Sequence, residues 1–362
     1  MYRVSSKRWS AVTLTASLAL SLLCAQPAQA EHGEPKLKPV AVISDTFLPI
    51  TTAQGTAELP LYLSAPWDTA QPQVVRAVLV VHGKLRNADT YFKIGLKART
   101  AAGAEPSTTL MIAPQFLATV DTDVHHEPDD VLRWDGNAWM GGEPAQGSVP
   151  LSSFAALDAI VQRLADRRLF PNLQEIVIAG HSGGGQVVQR YAVAMRDQPA
   201  LAAEHIALRF LVANPSSYAY FDALRPDGGG KLAPFDGARC ADFDDWKYGM
   251  QQRPPYLSGR TPTELKNAYA ARRVQYLVGG DDVDPQQAAL DKTCAAEAQG
   301  PQRLARGEAY FHYLQARHPG TLQQSFGIVP GVGHSGSGML TSACAQSVMF
   351  GNGSCQKQSS EP

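Results

Sequence analysis

Short apolar runs recur along the chain, separated by turn-forming residues and by longer stretches of amphipathic character. Runs rich in β-branched residues predict strands at 40–43, 58–63, 75–81, 109–112, 176–179, 208–213, 274–278 and 326–329. The later runs are apolar throughout, as in Ile176-Val177-Ile178-Ala179, the pattern of parallel strands buried on both faces. Helical spacing predicts helices at 91–100, 154–166, 184–196, 303–316 and 339–349. This alternation implies an α/β fold: a doubly wound, mostly parallel sheet flanked by helices, with ligands beyond the carboxyl ends of its strands. Connections at about 115–153, 214–271 and 285–324 are long for a bare core and are expected as loop insertions above the ligand face.

Chemistry gathers at the turns that end these strands. The run at 176–179 stops at Gly180-His181-Ser182-Gly183-Gly184 and continues into Gln186-Val187-Val188, so it reads as strand, sharp turn, helix. A serine there needs neighbours without side-chain bulk and stands at the positive end of a helix. A hydroxyl is a poor nucleophile alone and needs a base, which in turn needs a group to fix its tautomer. Downstream, 274–278 ends at Gly279-Gly280-Asp281-Asp282-Val283-Asp284, and 326–329 ends at Pro330-Gly331-Val332-Gly333-His334. Upstream, 75–81 runs into His82-Gly83-Lys84.

These turns, in the order serine, acid, histidine, resemble those of the α/β-hydrolase superfamily over roughly residues 70–350. The resemblance implies Ser182 as nucleophile and His334 as base. It places the acid three residues after the strand-ending glycine, at Asp282, with Asp281 and Asp284 open as alternatives. It also implies an oxyanion hole made by the backbone N–H groups of Gly183 and Lys84, with Gly83 as the alternative to Lys84. Such a set cleaves an acyl bond, first of all a carboxylic ester, in a small or polymeric substrate, and needs no metal or organic cofactor. Amide, peptide and thioester substrates use the same machinery. A binding module on the same scaffold is the rival from another class. His82 and His181 lie inside the turns and are expected to shape them.

Two long insertions carry aromatic residues, and Trp134, Trp139 and Trp246 are expected to line a substrate pocket beside Asp135 and Asn137. The run Asp121 to Glu127 reads as a solvated acidic loop.

Residues 1–30 read as a signal peptide. Arg3, Lys7 and Arg8 precede the apolar stretch at 11–23, and Ala28-Gln29-Ala30 is a small-residue cleavage site. Residues 31–362 are then expected to form one domain, secreted or periplasmic, with no membrane span. Cys24 falls in the leader, leaving Cys240, Cys294, Cys344 and Cys355. In an oxidising compartment these favour disulfides over a metal site. Cys344 and Cys355 close a local loop, and Cys240–Cys294 would then tie the loop after the sixth strand to the one after the seventh. A formal net charge of −1, with charges interspersed, argues against nucleic acid as a partner.

Overall fold

The computed structural model describes residues 37–353 and Cys355; the expected signal peptide lies outside the described residues. Eight strands build the central sheet: β1 (Phe47–Thr52), β2 (Gly55–Leu63), β3 (Arg76–Val81), β4 (Thr109–Pro114), β5 (Glu175–His181), β6 (Ala207–Ala213), β7 (Arg273–Gly279) and β8 (Gln324–Val329). Their order is β1-β2-β4-β3-β5-β6-β7-β8. The β1–β2 and β2–β4 pairs are antiparallel and every other pair is parallel. The doubly wound, mostly parallel sheet expected from the strand pattern is therefore present.

Six helices matter for the account: α1 (Ala88–Ala101), α2 (Ser153–Leu164), α3 (Gly183–Ala194), α4 (Pro262–Ala270), α5 (Arg303–Arg317) and α6 (Ala343–Phe350). Period-two alternation sorts each strand between two cores. In β3, Ala77, Leu79 and Val81 face a core shared with residues of α2, α3, α4 and α5. Val78 and Val80 face the other, shared with Tyr91 and Ala98 of α1 and with Val348 and Met349 of α6. Both faces are covered, so the central strands can be apolar throughout.

Three element expectations need correction. Residues 40–43 form no strand. The Val40 backbone is instead pinned by side chains, its N–H donating to Asp121 Oδ1 at 2.9 Å while its carbonyl lies 2.8 Å from His125 Nε2. The true first strand, β1, is an edge strand carrying Pro49, a residue that breaks a strand signal but is tolerated at an edge. The last helix is two helices, Gly336–Leu340 and α6, because Ser342 caps the second by accepting from the Ala345 N–H. The insertions are not bare loops either. The first contains a helix, Thr119–His125, and the second contains α4. Among the described residues, no helix is long and apolar enough to cross a membrane.

Candidate active site

The turn after β5 is shaped by close backbone approach. A Cβ placed on Gly184 would lie 2.1 Å from the Val81 carbonyl oxygen, and one on Gly180 would lie 2.3 Å from the Gly184 carbonyl oxygen. Only glycine fits, so α3 starts tightly against β3. Ser182 caps that helix with φ 59° and ψ −121°, a conformation that costs on the order of 1–3 kcal/mol and that a rigid surround must hold. Its N–H donates to the Ala213 carbonyl at 2.9 Å, which fixes the strained residue to the end of β6.

The strand ends then bring the other groups in. Asp282 follows β7 and His334 follows β8, and the two loops are laced together by the Asp281 N–H donating to the Val332 carbonyl at 3.0 Å. His334 Nε2 lies 2.9 Å from Ser182 Oγ, and His334 Nδ1 lies 2.8 Å from Asp282 Oδ2. A carboxylate beside Nδ1 holds the proton there, so Nε2 is left to accept from the serine hydroxyl. Asp282 is 3% exposed, whereas Asp281 and Asp284 both face solvent, so of the three carboxylates on this turn only Asp282 reaches the histidine. Burial pushes the Asp282 carboxyl up, but the His334 bond, the Arg303 charge and the Asn214 bond outweigh it and hold the group below the usual range.

The turn after β3 comes against the serine from the other side. A Cβ on Gly183 would lie 2.8 Å from the Lys84 backbone nitrogen, so these two amides are neighbours. Among the described residues, neither N–H is engaged by another backbone group. Buried His82 braces this turn. Its Nε2 accepts from the Phe116 N–H at 2.9 Å, so Nδ1 carries the proton and donates to the Gly83 carbonyl at 2.9 Å. Burial pulls the His82 imidazole down to about 4, so it stays neutral. His181 lies under the site, its ring 4.7 Å from that of His334.

Sequence reading missed three residues that support this arrangement. Arg86 is buried and pairs with Asp121, Nε donating to Oδ2 at 2.5 Å, and its Nη1 donates to the Lys84 carbonyl at 3.2 Å. Asp121 therefore belongs to a buried ion pair on a helix, which corrects the solvated acidic loop expected there. Asn214 donates from Nδ2 to Asp282 Oδ2 at 2.5 Å, and Arg303 donates from Nη1 to Asp282 Oδ1 at 3.2 Å. Nothing in the local pattern marks these residues, because a polar residue in a turn looks alike whether it is solvated or buried.

The tryptophans also need correction. Trp134 and Trp139 are fully buried and line no open pocket. Trp139 stacks on Phe116 with ring centroids 5.5 Å apart and packs against His82 at 4.7 Å, so it supports the β3 turn from below. Trp246 remains partly exposed and donates from Nε1 to the Gly141 carbonyl at 2.6 Å. A cavity of about 800 Å³ is lined by Phe235, Leu290, Lys292 and His312 among others, and by none of Ser182, Asp282 and His334. Sulfur bridges join Cys240 to Cys294 and Cys344 to Cys355.

No protein-family model matches the chain, and no curated protein matches it. Solved structures of similar fold exist. Poly(aspartic acid) hydrolase-1 from Sphingomonas sp. KT-1 is 21% identical, covering 87% of this chain and 100% of its own, with a TM-score of 0.58. A poly(3-hydroxybutyrate) depolymerase from Bordetella parapertussis is 21% identical, covering 85% of this chain and 91% of its own, with a TM-score of 0.56.

Proposed function

The chain has the α/β-hydrolase fold, and on that premise we propose that it is an exported serine hydrolase cleaving carboxylic esters through an acyl-enzyme. The observation that carries the reading is the unbroken contact from Ser182 Oγ to His334 to Asp282, at 2.9 and 2.8 Å. His334 Nε2 takes the hydroxyl proton as Ser182 Oγ attacks the acyl carbonyl carbon, and Asp282 stabilises the imidazolium. The carbonyl oxygen becomes an oxyanion held by the Gly183 and Lys84 amides, each worth about 3 kcal/mol in the transition state. His334 returns the proton to the leaving alcohol. Water then attacks the acyl-serine with His334 again as base, releasing the acid and the free hydroxyl.

Export rests on the leader-like residues 1–30 and on the two disulfides, which persist in an oxidising compartment. The mature protein is then a single domain starting at residue 31, secreted or periplasmic. Trp246, still partly exposed, stays in this reading as a residue near the substrate. The two solved neighbours are both named for polymers, which puts polymeric acyl substrates beside small esters in the assay.

The test is a panel of p-nitrophenyl esters of increasing chain length with one polyester, one amide and one peptide analogue. The expected result is ester turnover that falls at least ~10³-fold in Ser182→Ala. Turnover of only the amide or peptide analogue would move the reading to an amidase or peptidase. Ester turnover unchanged in Ser182→Ala would overturn it.

A further inference from the structure

Asp282 is held by more than the histidine it serves. Its Oδ2 accepts from both His334 and Asn214, and its Oδ1 accepts from Arg303 Nη1. The Arg303–Asp282 pair is closed off from water, with side-chain exposures of 0% and 2%. Arg303 opens α5, and its guanidinium is aimed by Nε donating to Ser216 Oγ at 3.1 Å and by Nη1 to Gln287 Oε1 at 3.2 Å. The Leu304 N–H also donates to the Asp282 carbonyl at 3.4 Å, so the start of α5 and the acid turn are one unit.

A carboxylate that only steadied a histidine would present one net negative charge to it. Here a fixed cation sits on its far oxygen, so the acid and its partner together are neutral. A neutral pair stabilises an imidazolium less than a lone carboxylate would. The other ionisable groups around the dyad do not supply such a charge. Burial, and after it the charges of His334 and Arg303, hold His181 well below its ordinary value, so it is neutral. Tyr91 Oη, 3.1 Å from His181 Nδ1, is pushed up to about 12 by burial, and Tyr218 is raised well above its ordinary value, so both stay neutral. Arg306 and Asp291 flank Arg303 with opposite signs, and Asp281 and Asp284 lie in solvent, where they are screened.

We propose that Arg303 is a positioning residue that, with Asn214, fixes the Asp282 carboxylate and through its buried positive charge sets the lower pH limit of the hydrolase. The inference rests on the triad reading above and adds to it a device that keeps the enzyme working in acid.

The experiment is the pH profile of kcat/KM on a p-nitrophenyl ester for wild type, Arg303→Met, Arg303→Lys and Gln287→Glu. In Arg303→Met the acid limb moves up by about one pH unit, because the cation is gone. In Gln287→Glu, a change on a half-buried turn, the new carboxylate draws on Arg303 and the limb moves up by less. Arg303→Lys keeps the charge and holds the limb near that of wild type, so a shift seen in Arg303→Met and not in Arg303→Lys follows the charge, whereas a purely space-filling role would move neither limb. If Arg303→Met fails to fold, the Gln287→Glu and Arg303→Lys profiles decide. An acid limb unmoved in every folded charge-altering variant, with wild type active, overturns this inference and leaves the triad standing. A wild type that neither turns over esters nor takes a phosphonate label overturns the triad reading itself.

Discussion

At the residue scale, the acid turn after β7 shows how burial selects one of three chemically identical side chains. Asp282 points inward to His334, Asn214 and Arg303, while Asp281 and Asp284 stay in water. Asp282→Asn leaves the shape but reverses the hydrogen-bond preference at Nδ1, and the expected loss in turnover is about 10⁴-fold. Asp281→Asn and Asp284→Asn should stay within a few-fold of wild type. Steady-state kinetics on one ester checks all three, and a large loss confined to Asp284→Asn would refute the assignment. Ser182 and His334 could be picked from the chain because each follows a legible strand in a glycine-flanked turn. Arg303, Asn214 and Arg86 could not. Their roles depend on which partner tertiary folding brings to them, and a one-residue pattern carries no such information.

At the element scale, the strands buried on both faces were legible because continuous apolar runs admit few other readings. β1 was not, since Pro49 interrupts its apolar run. The Val40 segment read as a strand because apolar β-branched residues look the same when side chains rather than a neighbouring strand take their backbone groups. Trp134 and Trp139 were misplaced for a related reason: aromatic residues in an insertion either line a pocket or weld the insertion to the core, and here they do the second. The Cys240–Cys294 bridge joins the second insertion to the third across a sequence separation of 54 residues. Closing so long a loop restricts the unfolded chain, which stabilises the native state by about 4 kcal/mol in the chain-entropy description. The Cys240→Ser, Cys294→Ser double variant should therefore lose stability of that order in urea unfolding. An unchanged midpoint would mean that the bridge constrains nothing the fold does not already fix.

On the scale of the whole molecule, the parallel core gathers the ends of β3, β5, β6, β7 and β8 along one rim, and every group of the proposed site follows one of those ends. The chain's first half contributes the Lys84 amide, its middle the serine, and its last third the acid and the base. Convergence of segments so far apart is the claim on which the function depends. A fluorophosphonate reports on it directly, because only a serine activated by its base and faced by an oxyanion hole is phosphonylated rapidly at neutral pH. The account predicts a single adduct, mapped by mass spectrometry to the peptide carrying Ser182 and absent from Ser182→Ala and from His334→Ala. An adduct on another serine, or no adduct on folded, disulfide-bonded wild type, would contradict it.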